Sequence, residues 1–408
     1  MDTFGATYIH RLVSYSIIPL LALILLYQKK HYGLKFYDHF FIWFYIIYCF
    51  YIFLYITILR RYPLDTLMSV PKSEFLYVYE FLISICYLLC APTIYHHFSV
   101  RKFVFLSFMA CTIPSILFIH YIGVDLIQSN LDEEAERYLQ TLTVTFSNVP
   151  ILVLAVVFYK KLFRWKWLSI IVSTTIIAAV VYVLFIFGKR GPLLWSIVNV
   201  IICYLIVSVN MKKYFLLLGI VCMSFYIFMD PILEGISEVL PRTGKQIELS
   251  MKEGNTSLRF DLNDPKHSNY LIGLEHFSRS PIWGYYFRHV TDDRNFRGVY
   301  AHNIFVEILM TMGLMGFIPF MMLLIKALSK SRKTFIQKYS NNQMAFFVLF
   351  MCQFLQLQTT GSIVSNHNFW LFFYLLCCID ILSRKSNLDI INRIDRSLED
   401  RSVSMEKL

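Results

Sequence analysis

Three polar residues mark the start of a long apolar run about three quarters of the way along the chain. His302 and Asn303 lie at its boundary, and Glu307 lies inside it. A neutral imidazole can act as a general base. The free N–H groups of a helix start favour anions. The group therefore predicts acid–base or anion-binding chemistry, with a simple helix cap as the alternative.

Asn303 and Glu307 are four residues apart, so they are predicted to project from one helical face. A carboxylate inside an apolar span is costly and usually faces a cavity or a partner. Glu307 is therefore either part of a site or held in a structural ion pair or hydrogen bond.

Basic residues in three other segments are further candidates. In FGKRGP (187–192), glycines flank Lys189 and Arg190 and allow a ligand to come close; snorkelling of the two side chains is the alternative. Arg259 lies in NTSLRFDL (255–262), where a solvated loop arginine is the simpler interpretation. Arg279 lies in SRSPIWGYYF.

The composition places these residues in a membrane protein. Of 408 residues, 57% are hydrophobic, 17% aromatic and 16% charged, and the mean hydropathy is +0.55. One soluble core cannot bury so much apolar surface. The net charge of +11 comes mostly from short connections between apolar runs, so nucleic acid is not an expected partner. The nine cysteines lie inside apolar runs, without zinc or redox spacing.

We predict an all-α polytopic membrane protein with about 11 (10–12) transmembrane helices, because lipid admits only helices or closed barrels and these runs do not alternate. The predicted spans are 12–28, 39–59, 75–95, 103–123, 143–159, 167–187, 192–209, 214–229, 303–327, 343–360 and 368–383. The domain organisation is a first set of spans (1–229), a long extracytoplasmic loop (230–302), a second set (303–383) and a cytoplasmic tail (384–408).

The long loop carries a predicted amphipathic helix at 266–281. Its apolar residues share one face, which we expect to lie on the membrane or on other helices: Tyr270, Leu271, Leu274 and Phe277. Pro281 and Gly284 end this helix.

Basic connections set the orientation. They follow alternate spans, so their side is predicted to be cytoplasmic and the 131–138, 188–192 and 230–301 connections lie outside. Arg60 and Arg61 fall on the wrong side of this topology.

The order of the motifs resembles the bacterial O-antigen polymerase and O-antigen ligase superfamily, over roughly 187–320. The resemblance rests on an arginine after a glycine-flanked span end, SLR opening a long loop, SRSPIWGYYF, and HN before a span ending GLMGF. It implies a multi-pass protein of the bacterial inner membrane. Such a protein joins undecaprenyl-pyrophosphate-linked oligosaccharides at the outer face and needs no metal or other cofactor.

The resemblance also implies roles for individual residues. Its functional residues match Arg190, Arg259 and His302, which become the catalytic candidates. The substrate-binding candidates beside them are Lys189, Asn303, Glu307 and Arg279. The expected partners are the lipid-linked oligosaccharide and the bilayer, with a chain-length regulator as a further candidate.

Alternatives remain open. We favour polymerase over ligase because divergent polymerases outnumber ligases. A lipid-linked oligosaccharide flippase would predict internal repeats and charges spread over many spans, and a sensor would need an output domain. A metal-dependent transferase would use DLND (261–264) or Asp292 with Asp293, which we interpret as solvated loop residues.

Overall fold

The computed structural model of the chain describes residues 23–31, 33–57, 71–122, 142–186, 196–203, 265–284, 303–336, 341–358, 363 and 366–382. All regular structure in these ranges is helical. The helices are α1 (23–31), α2 (His39–Thr57), α3 (Pro71–His97), α4 (Val100–Ser107), α5 (Ile113–Ile122), α6 (Leu142–Val157), α7 (Lys166–Ile186), α8 (196–203), α9 (Pro265–Arg279), α10 (Ile304–Ile336), α11 (Asn341–Gln356) and α12 (His367–Leu382).

Among the residues that the structure describes, three stretches are long and apolar enough to cross a membrane: Val100–Tyr121, Lys166–Leu184 and Ile304–Ser331. The first joins α4 to α5 through a π-helical turn, Phe108–Thr112, just before Pro114. Proline removes a backbone donor, and π-turns absorb such defects. The all-α prediction is confirmed for the described residues, and the count of eleven spans stays a prediction.

Apolar side chains cover the outside of the bundle. Trp43, Phe50, Leu117 and Ile171 are each about 60% exposed (64%, 59%, 63% and 61%). Exposed apolar surface this extensive is unfavourable in water and favourable against lipid. The packing therefore agrees with the helix lengths in indicating a membrane environment.

Aromatic rings form the interior. Trp370 of α12 is fully buried, with its ring centroid 4.8 Å from that of Tyr45 and 5.4 Å from those of Tyr48 and Phe369. The indole N–H of Trp370 donates to the carbonyl of Ile363 at 2.9 Å. A buried indole needs such an acceptor, so this bond ties the segment before α12 to the core.

One end of the bundle collects positive charge. There, Lys326 pairs with Asp38 at 2.5 Å, and Asn342 Nδ2 donates to the carbonyl of Phe98 at 2.8 Å. We call this the basic end. Its connections and the adjoining helix ends carry exposed basic side chains, namely Lys29, Lys30, Lys35, Arg101, Lys102, Lys160, Lys161, Arg164 and Lys166.

Helix α10 is broken at Gly313, where the sequence predicts an uninterrupted span. Gly313 has φ 61° and ψ −157°, a conformation open essentially to glycine alone. The freed N–H groups of Leu314 and Met315 donate to the carbonyls of Pro281 (2.9 Å) and Ile282 (3.2 Å). The apolar part after the break, Leu314 to Ile325, covers only about 18 Å at 1.5 Å per residue before Lys326, so the break lies inside the stretch Ile304–Ser331 that is long enough to cross a membrane.

The turn after α9, residues 280–284, packs against this break. An added Cβ on Gly284 would lie 2.4 Å from Gly313 N, and one on Gly313 would lie 2.4 Å from the Ile282 carbonyl oxygen. Tyr51 of α2 donates to the carbonyl of Trp283. The backbones of the turn and of α10 are therefore in direct contact, and α2 holds the turn through Tyr51.

The predicted helix is confirmed as α9. Of the two environments predicted for its apolar face, the membrane agrees with the structure, because Leu271 and Leu274 are 47% and 43% exposed, whereas Gly273 and His276 are buried. In a membrane, apolar side chains can face lipid while small residues let helices approach closely. The protein-facing side of α9 is therefore not its most apolar side.

We predict that Gly313→Ala and Gly284→Ala each lower the free energy of unfolding by about 3 kcal/mol, because strain at positive φ adds to backbone overlap. Gly33→Ala is the matched control. Gly33 also has positive φ (71°) but open space around its Cβ position, so its loss is about 1 kcal/mol. Thermal unfolding of the purified protein measures all three, and equal losses would contradict the backbone contact.

Candidate functional site

Asn303 caps the start of α10. Its Oδ1 accepts the backbone N–H groups of Phe305 (3.0 Å) and Val306 (3.2 Å). An asparagine at this position satisfies donors that the first helical turn otherwise leaves unpaired. The cap sets where α10 begins, and it is the residue directly after His302 in the sequence.

Asn303 and Glu307 face the same connection, as their spacing predicts. Asn303 Nδ2 donates to Gln358 Oε1 at 3.0 Å, and the fully buried Glu307 accepts the Ile363 N–H at Oε2, at 3.3 Å. Residues 357–363 follow α11 and lead to α12. Both side chains therefore fasten the start of α10 to one segment.

A second cap lies at the other end of that segment. Asn366 Oδ1 accepts the N–H of Phe369 at 2.9 Å, and its Nδ2 donates to Gln353 Oε1 at 3.1 Å. With Asn303, Gln358 and Glu307, these residues form what we call the amide end of the bundle. Amide side chains both donate and accept, which suits them to hydroxyl-rich ligands.

His367 completes the amide end. Its Nδ1 lies 3.5 Å from Ser84 Oγ, at the limit of a hydrogen bond, and its ring stacks on Tyr87 with centroids 6.0 Å apart. The sequence reasoning missed His367, Asn366, Gln353 and Gln358. The signal for His367, Asn366 and Gln358 was the density of polar residues in QLQTTGSIVSNHN (356–368), between two apolar runs, and Gln353 lies just before it.

Arg279 lies at the C-terminal end of α9 and pairs with Glu275 one turn earlier. The two side chains are 57% and 56% exposed. An exposed i,i+4 pair contributes little to stability, so the guanidinium can exchange this partner for another anion. Its described ion pair is within its own helix and does not join it to Asn303 or Glu307.

The four remaining candidates, His302, Arg190, Arg259 and Lys189, lie outside the described residues. So do DLND (261–264) and the Asp292–Asp293 pair. Within the described ranges, no group of three or more His, Cys, Asp or Glu residues gathers in a way that could hold a metal ion. The contacts of Asn303 and Glu307 are those of positioning residues, and direct contact with a substrate stays a prediction for both.

Neither the family models nor the curated proteins compared with this chain give a match.

Three substitutions at Asn303 separate its helix cap from its hydrogen bond to Gln358. Asn303→Asp keeps an oxygen for the cap and loses the donor to Gln358, whereas Asn303→Ala loses both and Asn303→Ser keeps a capping oxygen on a shorter side chain. We expect Ala to cost about 1–2 kcal/mol of stability, and Asp and Ser to cost less. Thermal unfolding ranks them, and an Asp variant as unstable as Ala would show that the bond to Gln358 dominates.

Proposed function

We propose that this protein is a membrane glycosyltransferase that polymerises undecaprenyl-pyrophosphate-linked oligosaccharide repeats into O-antigen or a related surface polysaccharide. The observation that carries the proposal is the ordered set of Arg190 and His302 at predicted extracytoplasmic span ends and Arg259 in the predicted extracytoplasmic loop. The apolar helices of the described residues support the membrane setting.

The reaction needs one base and stabilisation of one leaving group. A hydroxyl of the acceptor sugar attacks the anomeric carbon of the donor, and its proton passes to His302. The bond between that carbon and the pyrophosphate oxygen breaks, and undecaprenyl pyrophosphate leaves with the electron pair. Arg190 and Arg259 stabilise the developing negative charge through bidentate hydrogen bonds and stay charged throughout.

The positioning contacts at the start of α10 support this role for His302. Asn303 fixes the first turn, and Glu307 holds it against Ile363. A general base must be held within hydrogen-bond reach of the hydroxyl, so a rigid neighbour is an advantage. The contact between Gly284 and Gly313 also couples α10 to the turn after α9.

The proposed orientation places the basic end in the cytoplasm and the amide end outside. Basic residues accumulate on the cytoplasmic side of membrane proteins, and the exposed cations of α1, of 97–102 and of 158–166 lie at the basic end. The proposal includes about eleven spans in the bacterial inner membrane. A chain-length regulator would meet the protein from outside.

Cells carrying His302→Ala are expected to lose long glycan chains, because the acceptor hydroxyl would lack its base. His39→Ala is the matched control, since His39 is an exposed histidine at the basic end. Lipopolysaccharide or capsule banding gives the readout, with immunoblotting to verify equal protein in the membrane. A normal ladder with His302→Ala would rule out the base role.

Arginine substitutions test the leaving-group role. We expect Arg190→Ala and Arg259→Ala to lower turnover about 10²-fold or more. Arg190→Lys and Arg259→Lys keep the charge but lose bidentate geometry, so they should retain only part of the activity. Conversion of lipid-linked repeats by membranes measures this, and full activity of an alanine variant would exclude that arginine.

A deletion strain separates polymerase from ligase. Loss of a polymerase leaves the lipopolysaccharide core carrying single repeat units, because ligation continues. Loss of a ligase leaves the core bare, and lipid-linked glycan accumulates. A bare core would replace the proposed polymerase with the ligase.

A further inference from the structure

Two exposed tryptophans lie at the basic end. The connection from α6 to α7 contains Trp165, and α7 begins with Lys166 and Trp167. The indoles are 74% and 78% exposed. Tryptophan is a costly residue to leave in water and a favoured one at a membrane interface.

The connection that presents them is folded onto α7. Ser169 Oγ donates to the Tyr159 carbonyl at 2.9 Å and accepts the Leu162 N–H at 3.0 Å. Ser173 Oγ donates to the same carbonyl at 3.3 Å. The buried Leu162 anchors the turn in the core, so the residues that follow it, through Trp165, leave the bundle in a defined direction.

A neighbouring helix adds charge to the same place. The guanidinium carbon of Arg101, at the start of α4, lies 5.8 Å from the ring centroid of Phe163. This contact brings the α4 start against the connection. The connection, the first residue of α7 and the start of α4 together carry six exposed cations: Arg101, Lys102, Lys160, Lys161, Arg164 and Lys166. We call these cations with Trp165 and Trp167 the basic tryptophan surface.

The segments that form this surface hold no carboxylate. The sequence has no Asp or Glu from Phe81 to Val124, and none from Arg137 to Met229. Six like charges placed together repel one another unless anions neutralise them. Their own helices cannot supply those anions.

Apolar surface continues from the cations along both helices. On α7, Leu168 and Ile171 are 41% and 61% exposed, and on α4, Phe105 and Leu106 are 50% and 64% exposed. An acidic protein segment would match the cations alone. A phospholipid matches both features, because its headgroup is anionic and its chains are apolar.

We propose that the basic tryptophan surface binds the phosphate headgroups of anionic phospholipids in the adjoining leaflet. Arg101 and Arg164 hydrogen-bond the phosphate oxygens, Trp165 and Trp167 lie at the headgroup level, and the acyl chains cover the outer faces of α4 and α7. This site is independent of the proposed glycosyl transfer.

Tryptophan quenching by brominated lipids tests the site on the full-length protein. The protein is reconstituted in dioleoyl phosphatidylcholine vesicles containing either brominated phosphatidylglycerol or brominated phosphatidylcholine. The quenched fluorescence that is lost in the W165F/W167F variant comes from these two indoles. We expect this signal to report about fivefold or greater preference for phosphatidylglycerol, the effect of one cation near an anionic surface, and the preference should weaken in high salt.

Two triple variants locate the preference. Arg101→Gln with Arg164→Gln and Lys166→Gln is expected to abolish it. Lys29→Gln with Lys30→Gln and Lys35→Gln removes the same charge from another connection of the basic end and should leave it intact. Equal quenching by the two lipids in the parent protein would overturn the proposal and favour an acidic protein partner. Equal loss in both triple variants would overturn the assigned location.

Discussion

The absence of water inside a bilayer is the constraint on which this structure depends most. Any break in a spanning helix frees backbone N–H groups that only protein can satisfy. At Gly313 of α10 the acceptors are the carbonyls of Pro281 and Ile282. Because both backbones must touch for these bonds to form, glycines stand at the contact on both sides, at Gly284 and Gly313. The turn after α9 therefore completes the backbone hydrogen bonding of α10.

The break also divides α10 by role. The part before Gly313, 304–312, starts at the polar contacts of the amide end, and the part after it runs to Lys326 at the basic end. Asn303 and Glu307 hold the part before Gly313 to Gln358 and Ile363. Trp370, which lies in the aromatic core, in turn fixes Ile363 by a hydrogen bond from its indole N–H to the Ile363 carbonyl. The placement of the start of α10 therefore depends on helices far away in the sequence.

The two ends of the bundle differ in chemistry. The described contacts of the amide end use neutral amides, hydroxyls and a buried carboxylate, which suit it to hydroxyl-rich molecules and rigid positioning. The basic end carries exposed cations and two exposed indoles, which suit it to an anionic membrane surface. A glycosyltransferase acting on a lipid-linked donor would use the first end for sugar and the second for its anchorage.

The sequence by itself determined the helical class, the position of α4–α5, α7 and α10, and the shared face of Asn303 and Glu307. Apolar length and 3.6-residue periodicity are local properties, and lipid leaves few alternatives to a helix. Only the tertiary structure decided the break at Gly313, the inward face of α9, and the roles of Gln358, Asn366 and His367. Asn303 and Glu307 meet partners 55 and 56 residues away. No local pattern specifies such a pairing, because it depends on how separate helices pack.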